Sequence, residues 1–128
     1  TMLPAQRKRN AINKDVIAGI HVPMRFQVHA SAAKAGVDQL TRALALEWGT
    51  DGVRLNAISP GPVDGTEGLH KLMSPTPQNR EFARLQVPLR RFGSLDDIAN
   101  LALFLSSSYA SYISGAVFHA TVVARWRA

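Results

Sequence analysis

Val53-Arg54-Leu55-Asn56-Ala57-Ile58-Ser59, closed by Pro60-Gly61-Pro62, decides the fold. Seven residues rich in β-branched and aliphatic side chains read as a short buried strand, and the Pro-Gly-Pro that follows ends it abruptly. Upstream, Ala33, Val37, Leu40, Leu44 and Trp48 recur at spacings of three and four, which predicts an amphipathic helix beginning at Ser31. Alanines 30, 32, 35, 43 and 45 with Gly36 make that helix slender, so that neighbouring backbones can approach closely. Gly49 is its stop, and Thr50-Asp51-Gly52 is a turn into the strand.

Downstream, residues 63–80 carry Gly65, Gly68, Pro75 and Pro77 and read as a long loop with at most one helical turn. Glu81–Gln86 is expected to be a short helix closed by Val87-Pro88. Ser94 stands before Leu95-Asp96-Asp97, a hydroxyl cap followed by acidic residues at the positive end of a helix. Ile98, Leu101, Ala102 and Leu105 then share one face to about Ser106. Tyr109–Gly115 reads as a connector and Ala116–Val123 as a final strand. Helix, strand, helix, strand is the order of an α/β fold with a parallel sheet. Residues 1–25 have no clean period and read as a poorly ordered segment, a weak helix at best.

Composition narrows the function classes. The chain has 128 residues, 46% hydrophobic and 19% charged, the size and make-up of one globular domain. It has no cysteine, which excludes disulfides, a cysteine nucleophile and thiolate metal sites. No apolar run reaches the roughly 18 residues of a membrane span. The start at Thr1-Met2-Leu3-Pro4 has no apolar stretch behind its charges, so a secretory signal is not expected. The net charge of +6 invites a nucleic-acid reading, but its placement argues against one. Residues 1–25 hold Arg7, Lys8, Arg9, Lys14 and Arg25 against Asp15, and Arg125 and Arg127 close the chain. Residues 26–124 balance eight basic against eight acidic side chains. A neutral body between basic ends is not the continuous basic face that nucleic acid requires.

Ligands of open parallel sheets bind beyond the carboxyl ends of the strands, and Ser59-Pro60-Gly61-Pro62 stands at such an end. Gly61 admits a close approach to the backbone, and the Thr66 hydroxyl is suited to a phosphate or an amide. On spacing alone the same Pro-Gly-Pro is equally a plain turn. Lys34, in the first turn of an alanine-rich helix, is expected to be partly buried, where a cation needs a carboxylate or a ligand. A lysine reaching to solvent is the alternative. His21, His29, His70 and His119 show no metal-ligand spacing, and no Gly-x-Gly-x-x-Gly run is present to cradle a pyrophosphate.

Ala30-Ser31-Ala32-Ala33-Lys34-Ala35-Gly36-Val37, Leu44-Ala45-Leu46-Glu47-Trp48-Gly49 and Val53 to Pro62 resemble the C-terminal half of the short-chain dehydrogenases/reductases. Pro88-Leu89-Arg90-Arg91-Phe92-Gly93, Asp97-Ile98-Ala99 and Tyr112-Ile113-Ser114-Gly115-Ala116 continue the likeness in the family's order, across residues 27–118. The resemblance implies an incomplete portion of a Rossmann-type, doubly wound parallel sheet. It divides the chain into a divergent basic segment (1–25), a family-like body (26–118) and a divergent tail (119–128).

Ala30 stands where most members carry a tyrosine proton donor, four residues before the active-site lysine. With Gln27-Val28-His29-Ala30, Glu47-Trp48-Gly49 and Gly61-Pro62-Val63-Asp64-Gly65-Thr66-Glu67-Gly68, this is most similar to the peroxisomal 2,4-dienoyl-CoA reductases. The resemblance implies an NADPH-dependent oxidoreductase acting on a fatty acyl-CoA, with hydride transfer to a dienoyl-CoA giving a 3-enoyl-CoA, and a homo-oligomeric parent. It implies a catalytic and cofactor-binding role for Lys34, on the nicotinamide ribose hydroxyls. It also implies that Pro60, Gly61, Val63 and Thr66 line the nicotinamide through backbone contacts and a hydroxyl. Alternatives are another enoyl or carbonyl reductase of the family, which Ala30 disfavours, and a non-catalytic form that pairs with full-length subunits.

After Phe118 the family's Asp-Gly-Gly turn is replaced by His119-Ala120-Thr121, and the ends read as those of a fragment, a splice product or a misassembled gene. The final Trp126-Arg127-Ala128 is unlike the Ser-Lys-Leu type of peroxisomal address, which leaves a cytoplasmic location as the alternative to the peroxisome. Without a glycine-rich phosphate loop the 128 residues are expected to be inactive alone.

Overall fold

The computed structural model describes residues 10–14, 28–72 and 76–121. The Arg7-Lys8-Arg9 cluster, the apolar run at residues 16–20, His21, Gln27 and the tail from residue 122 lie outside the described residues. The element order is β1 (Asn10–Lys14), α1 (Val28–Gly49), β2 (Arg54–Pro60), α2 (Glu67–Leu72), α3 (Pro77–Gln86), α4 (Leu95–Ser106) and β3 (Val117–Ala120), with a 3₁₀ turn at Ser108–Ala110. The three strands form one sheet in the order β1-β2-β3. Both pairings are parallel, Asn10 facing Arg54 through Lys14 facing Ile58, and Ala57 facing Val117 through Pro60 facing Ala120. This is the expected α/β architecture. Its third strand, β1, falls where the sequence predicts a weak helix at best. Asn10-Ala11-Ile12-Asn13-Lys14 has little strand propensity of its own, and pairing with β2 overrides it.

β2 is central and is buried from Leu55 to Pro60. On one face Ile58 packs with Val63, Ile98, Leu105 and Ala110, and Leu101, Ala102, Ile113, Phe118 and Ala120 lie against this cluster. α4 therefore presents the face read from its periodicity. Ser94 caps it through a reciprocal box: its hydroxyl accepts from the Asp97 N–H while the Asp97 carboxylate accepts from the Ser94 N–H. The opposite face of β2, with Leu55, Ala57 and Ser59, is left to α1.

α1 keeps only part of its predicted face. Val37 and Leu44 are half-buried, Ala33, Leu40 and Trp48 are exposed, and the half-buried line runs through Ala30, Lys34, Val37, Asp38 and Ala45 around a fully enclosed Thr41. Thr41 can be enclosed because its hydroxyl donates to the Val37 carbonyl at 2.9 Å. The helix also begins three residues earlier than predicted, which moves Lys34 from its first turn to its second.

The connector between α4 and β3 is fastened to β2 by polar groups. Asn56, 1% exposed, donates to the Ile113 carbonyl at 2.9 Å and accepts from the Ala116 N–H at 3.1 Å. The Arg54 guanidinium donates to the Leu105 (2.7 Å), Ser107 (3.3 Å) and Ile113 (3.1 Å) carbonyls. It supplies a cation to the carbonyl end of α4, where no basic residue of the helix itself stands.

Residues 63–80, read as loop, hold α2 and the first turn of α3. Thr66 caps α2, and Thr76 caps α3 by accepting from the Asn79 N–H at 3.2 Å, with Pro77 at the first helical position. Proline at that position has no intrahelical N–H to lose. These helices close a second small core of Leu69, Ala83, Val87 and Phe92.

Asn56→Ala leaves the Ala116 N–H without its acceptor, takes one of two donors from the Ile113 carbonyl, and lowers the unfolding free energy by about 1–3 kcal/mol in urea titration. Gln39→Ala on the exposed face of α1 changes it by less than about 0.5 kcal/mol. Asp97 is held well below the usual carboxylate range, first by the Arg91 guanidinium at 2.8 Å and then by the Ser94 N–H and hydroxyl. A depressed folded-state value means that this stabilisation is present above the ordinary aspartate range and is lost as pH falls below about 4. Asp97→Asn is expected to lower Tm at pH 7 and to make the fall of Tm between about pH 5 and 2 shallower than in the parent.

Candidate functional site

The carboxyl end of β2 opens into a groove. A cavity of about 850 Å³ lies between the strand end, α2 and α4, lined by Pro60 to Val63, by Thr66, Gly68 and Leu69, and by Leu95, Ile98, Ala99, Ala102, Leu103 and Ser106. Four sequence-predicted site residues, Pro60, Gly61, Val63 and Thr66, meet in it. The position follows from the sequence: Pro60 ends β2, Pro62 turns the chain away, and the turn is pinned by two backbone bonds. Gly93 N–H donates to Pro62 O at 2.9 Å and Asp64 N–H to Gly93 O at 2.8 Å, making a parallel bridge between Val63 and Gly93. The strand end is thereby tied to the residue that precedes the Ser94 cap of α4.

Lys34 does not line the groove. Its height on the sheet can be read from the chain. The Trp48 carbonyl accepts the Val53 N–H at 3.2 Å, so α1 and β2 run in opposite directions from one point. Lys34 lies about 21 Å back along α1 at 1.5 Å per residue. Pro60 lies about 23 Å along β2 at 3.3 Å per residue. The half-buried Lys34 thus stands at the carboxyl-end level of β2, on the face of the sheet away from α4, with Asp38 one turn further on along the same line of the helix.

The groove's hydrogen-bonding capacity is small and specific. The Thr66 hydroxyl donates to the Val63 carbonyl at 2.8 Å and accepts from the Leu69 N–H at 3.3 Å. A hydroxyl has one proton and two lone pairs, so it keeps only an acceptor position for a ligand. Such a position matches the N–H of an amide and not an ionised phosphate oxygen. Val63 is buried and lines the groove, and its N–H bonds to no described residue. Gly61 lines the groove and has no room for a side chain. A methyl group there would stand 2.2 Å from Thr121 Oγ1 and 2.7 Å from its Cβ, so the space a side chain would take is filled by Thr121 of the chain itself. Its N–H donates to Ala120 O at 3.0 Å, extending the ladder by one bond.

No ionisable side chain is among the groove residues, and among the described residues no cluster of His, Asp and Glu is fit to hold a metal ion. Just outside it, Asp64 is lowered from its ordinary value first by the Arg80 guanidinium and then by the Gly65 N–H. Arg54, Asn56 and Arg80 matter to the site and were not singled out in the sequence. An arginine and an asparagine inside a strand otherwise apolar are the signal for the first two. For Arg80 the sequence carries no signal, because its partner Asp64 is sixteen residues away.

No described helix is long and apolar enough to cross a membrane. A family model described as enoyl-(acyl carrier protein) reductase matches residues 2–121, a span that takes in β1 as well as the 27–118 stretch. Over 92 residues, 72% of this chain, the sequence is 47% identical to the peroxisomal 2,4-dienoyl-CoA reductase of Rattus norvegicus, of which this covers 31%. It is 50% identical over 91 residues to the enzyme of the same name from Arabidopsis thaliana, covering 70% of this chain and 30% of that one. The chain therefore spans about a third of the length of these curated relatives. Among solved structures, a protein from Beutenbergia cavernae described with the NAD(P)-dependent gluconate 5-dehydrogenases, with bound NADP, superposes with a TM-score of 0.76 at 30% identity. That likeness covers 91% of this chain and 46% of the other. The parallel sheet, the strand-end groove and these likenesses agree, and the chain belongs to the short-chain dehydrogenase/reductase family, resembling the C-terminal region of its members.

Proposed function

We propose that this chain provides the nicotinamide side of an NADPH-dependent reductase of 2,4-dienoyl-CoA thioesters, with the peroxisome of its named relatives as its compartment. The observation that carries the reading is the meeting of Pro60, Gly61, Val63 and Thr66 in one groove at the end of the central strand. The residues fit the amide end of the cofactor: a donor at the Val63 N–H and an acceptor at Thr66 Oγ1, between apolar walls. They do not include a pyrophosphate cradle, since the sequence has no glycine-rich run of that kind. Bound NADPH supplies a hydride.

The chain's own side chains bind, orient and exclude water. Lys34 brings three N–H donors and a positive charge to the carboxyl-end level, where it holds hydroxyl groups and favours negative charge developing in the substrate. The groove's lining of Val63, Leu69, Ile98, Ala99, Ala102 and Leu103 keeps water from the reacting carbons. Ala30, one turn before Lys34, has no proton to give. A conjugated dienoyl thioester suits such a site better than a ketone. Its added electron pair spreads over several atoms and is protonated on carbon, whereas a ketone needs a donor at its oxygen.

The test is a chimaera in which the matched 92 residues replace their counterparts in the Rattus norvegicus enzyme. It is expected to reduce 2,4-dienoyl-CoA with NADPH, and Lys34→Ala within it to lower kcat/KM by about 100-fold or more. A chimaera that folds and binds NADPH but leaves dienoyl-CoA untouched contradicts the reading. The 128-residue chain itself is expected to show no micromolar NADPH binding in calorimetry.

A further inference from the structure

The wall of the groove opposite α4 is fastened by a side chain that the cofactor reading does not use. Leu69 of α2 lines the groove and also belongs to the small core with Ala83, Val87 and Phe92. α3 contributes Ala83 to that core and nothing to the groove lining, so its hold on the strand end is indirect. The hold runs through Arg80. Its Nη2 reaches Asp64 Oδ1 and Oδ2, each at 2.7 Å, and its guanidinium carbon stands 5.1 Å from the centre of the Phe92 ring. Asp64 follows groove residue Val63 directly, and its N–H is fixed to the Gly93 carbonyl at 2.8 Å. One planar cation thus touches both the turn that ends β2 and the aromatic ring on which Leu69 packs.

We propose that Arg80 is a positioning residue of the groove: by joining the Asp64 carboxylate to the Phe92 ring it sets how far the α2–α3 segment stands from the end of β2, and so the groove's width at Leu69. Neighbouring cations act elsewhere, and Arg84 also donates to the Arg90 carbonyl at 2.6 Å, in the turn before Phe92. Lys71 pairs with Glu67 within α2 and Arg84 with Glu81 within α3, and neither pair joins a helix to the strand end. An exposed ion pair alone contributes little, and the ring contact beneath the cation is what makes this one effective. Arginine is required on this account, because a lysine ammonium is a point charge that cannot hold a carboxylate and lie flat over a ring together. The inference holds whatever ligand the groove takes, and it is independent of the cofactor reading.

Amide hydrogen exchange of the full 128-residue chain tests it. In Arg80→Ala, amides of residues 66–72 and 76–87 are expected to exchange roughly tenfold faster, while Ala57 in β2 and Ile98 to Leu105 in α4 keep the parent rates. Asp64→Asn reproduces the pattern, and Arg80→Lys behaves like Arg80→Ala. Parent-like exchange in Arg80→Ala or Asp64→Asn overturns the proposal, as does full recovery in Arg80→Lys. A uniform acceleration over the whole chain also overturns it, because it marks a contribution to global stability and not to the groove.

Discussion

A strand buried on both faces and paired along both edges has no water to fall back on, so each of its polar groups must find a partner within the protein. β2 meets that constraint with Asn56 and Arg54. Asn56 stands in for a missing strand neighbour: its amide takes the Ile113 carbonyl and the Ala116 N–H before β3 has begun. Just upstream, the Leu55 N–H donates to Ser114 Oγ at 3.2 Å, and the Gly115 N–H to Leu55 O at 2.6 Å. Arg54 gathers three carbonyls at the end of α4 and in the connector. These bonds fix where α4 ends and where β3 starts. α4 in turn bounds the groove, and β3 leads to Thr121 against Gly61.

The same arrangement explains why the site is at the far end of the strand. Polar satisfaction at the Arg54 end is dense and internal. At the Pro60 end, proline supplies no N–H, Pro62 turns the chain, and Val63 and Thr66 line a cavity with apolar walls. A long-range ladder on one side and this cavity on the other divide β2 into a structural and a cavity-facing half.

What the sequence made legible follows from how local each signal was. α4 could be read almost to the residue, because its apolar positions, its Ser94 cap and its acidic first turn all lie within twelve positions. β2 and its Pro-Gly-Pro end were equally plain. The inward face of α1 was not: with alanine or glycine at most of its early positions, large residues such as Leu40 and Trp48 dominate the periodicity, yet they point outward while Thr41 is enclosed. β1 was missed because its pairing with Arg54–Ile58 is non-local. α2 and the first turn of α3 carry an ambiguous signal, because Pro77 reads as a breaker by itself and as a helix start after Thr76. At the site, the strand-end cluster was visible from Pro60, Gly61, Val63 and Thr66. The use of Gly61 by Thr121 and of Arg80 by Asp64 and Phe92 depends on contacts made only in the folded chain.

The cavity-facing end of β2 is held by the same cooperative unit as its polar-stapled beginning. Residue-resolved hydrogen exchange tests it at three amides whose acceptors lie across the β2–β3 seam: Gly115 to Leu55 O, Ala57 to Ala116 O at 2.9 Å, and Gly61 to Ala120 O at 3.0 Å. All three are predicted to exchange at the slow rate of global unfolding and to respond together to added denaturant. Rapid exchange at Gly61, with Ala57 and Gly115 still protected, would show that the site opens independently of the strand and would contradict the account.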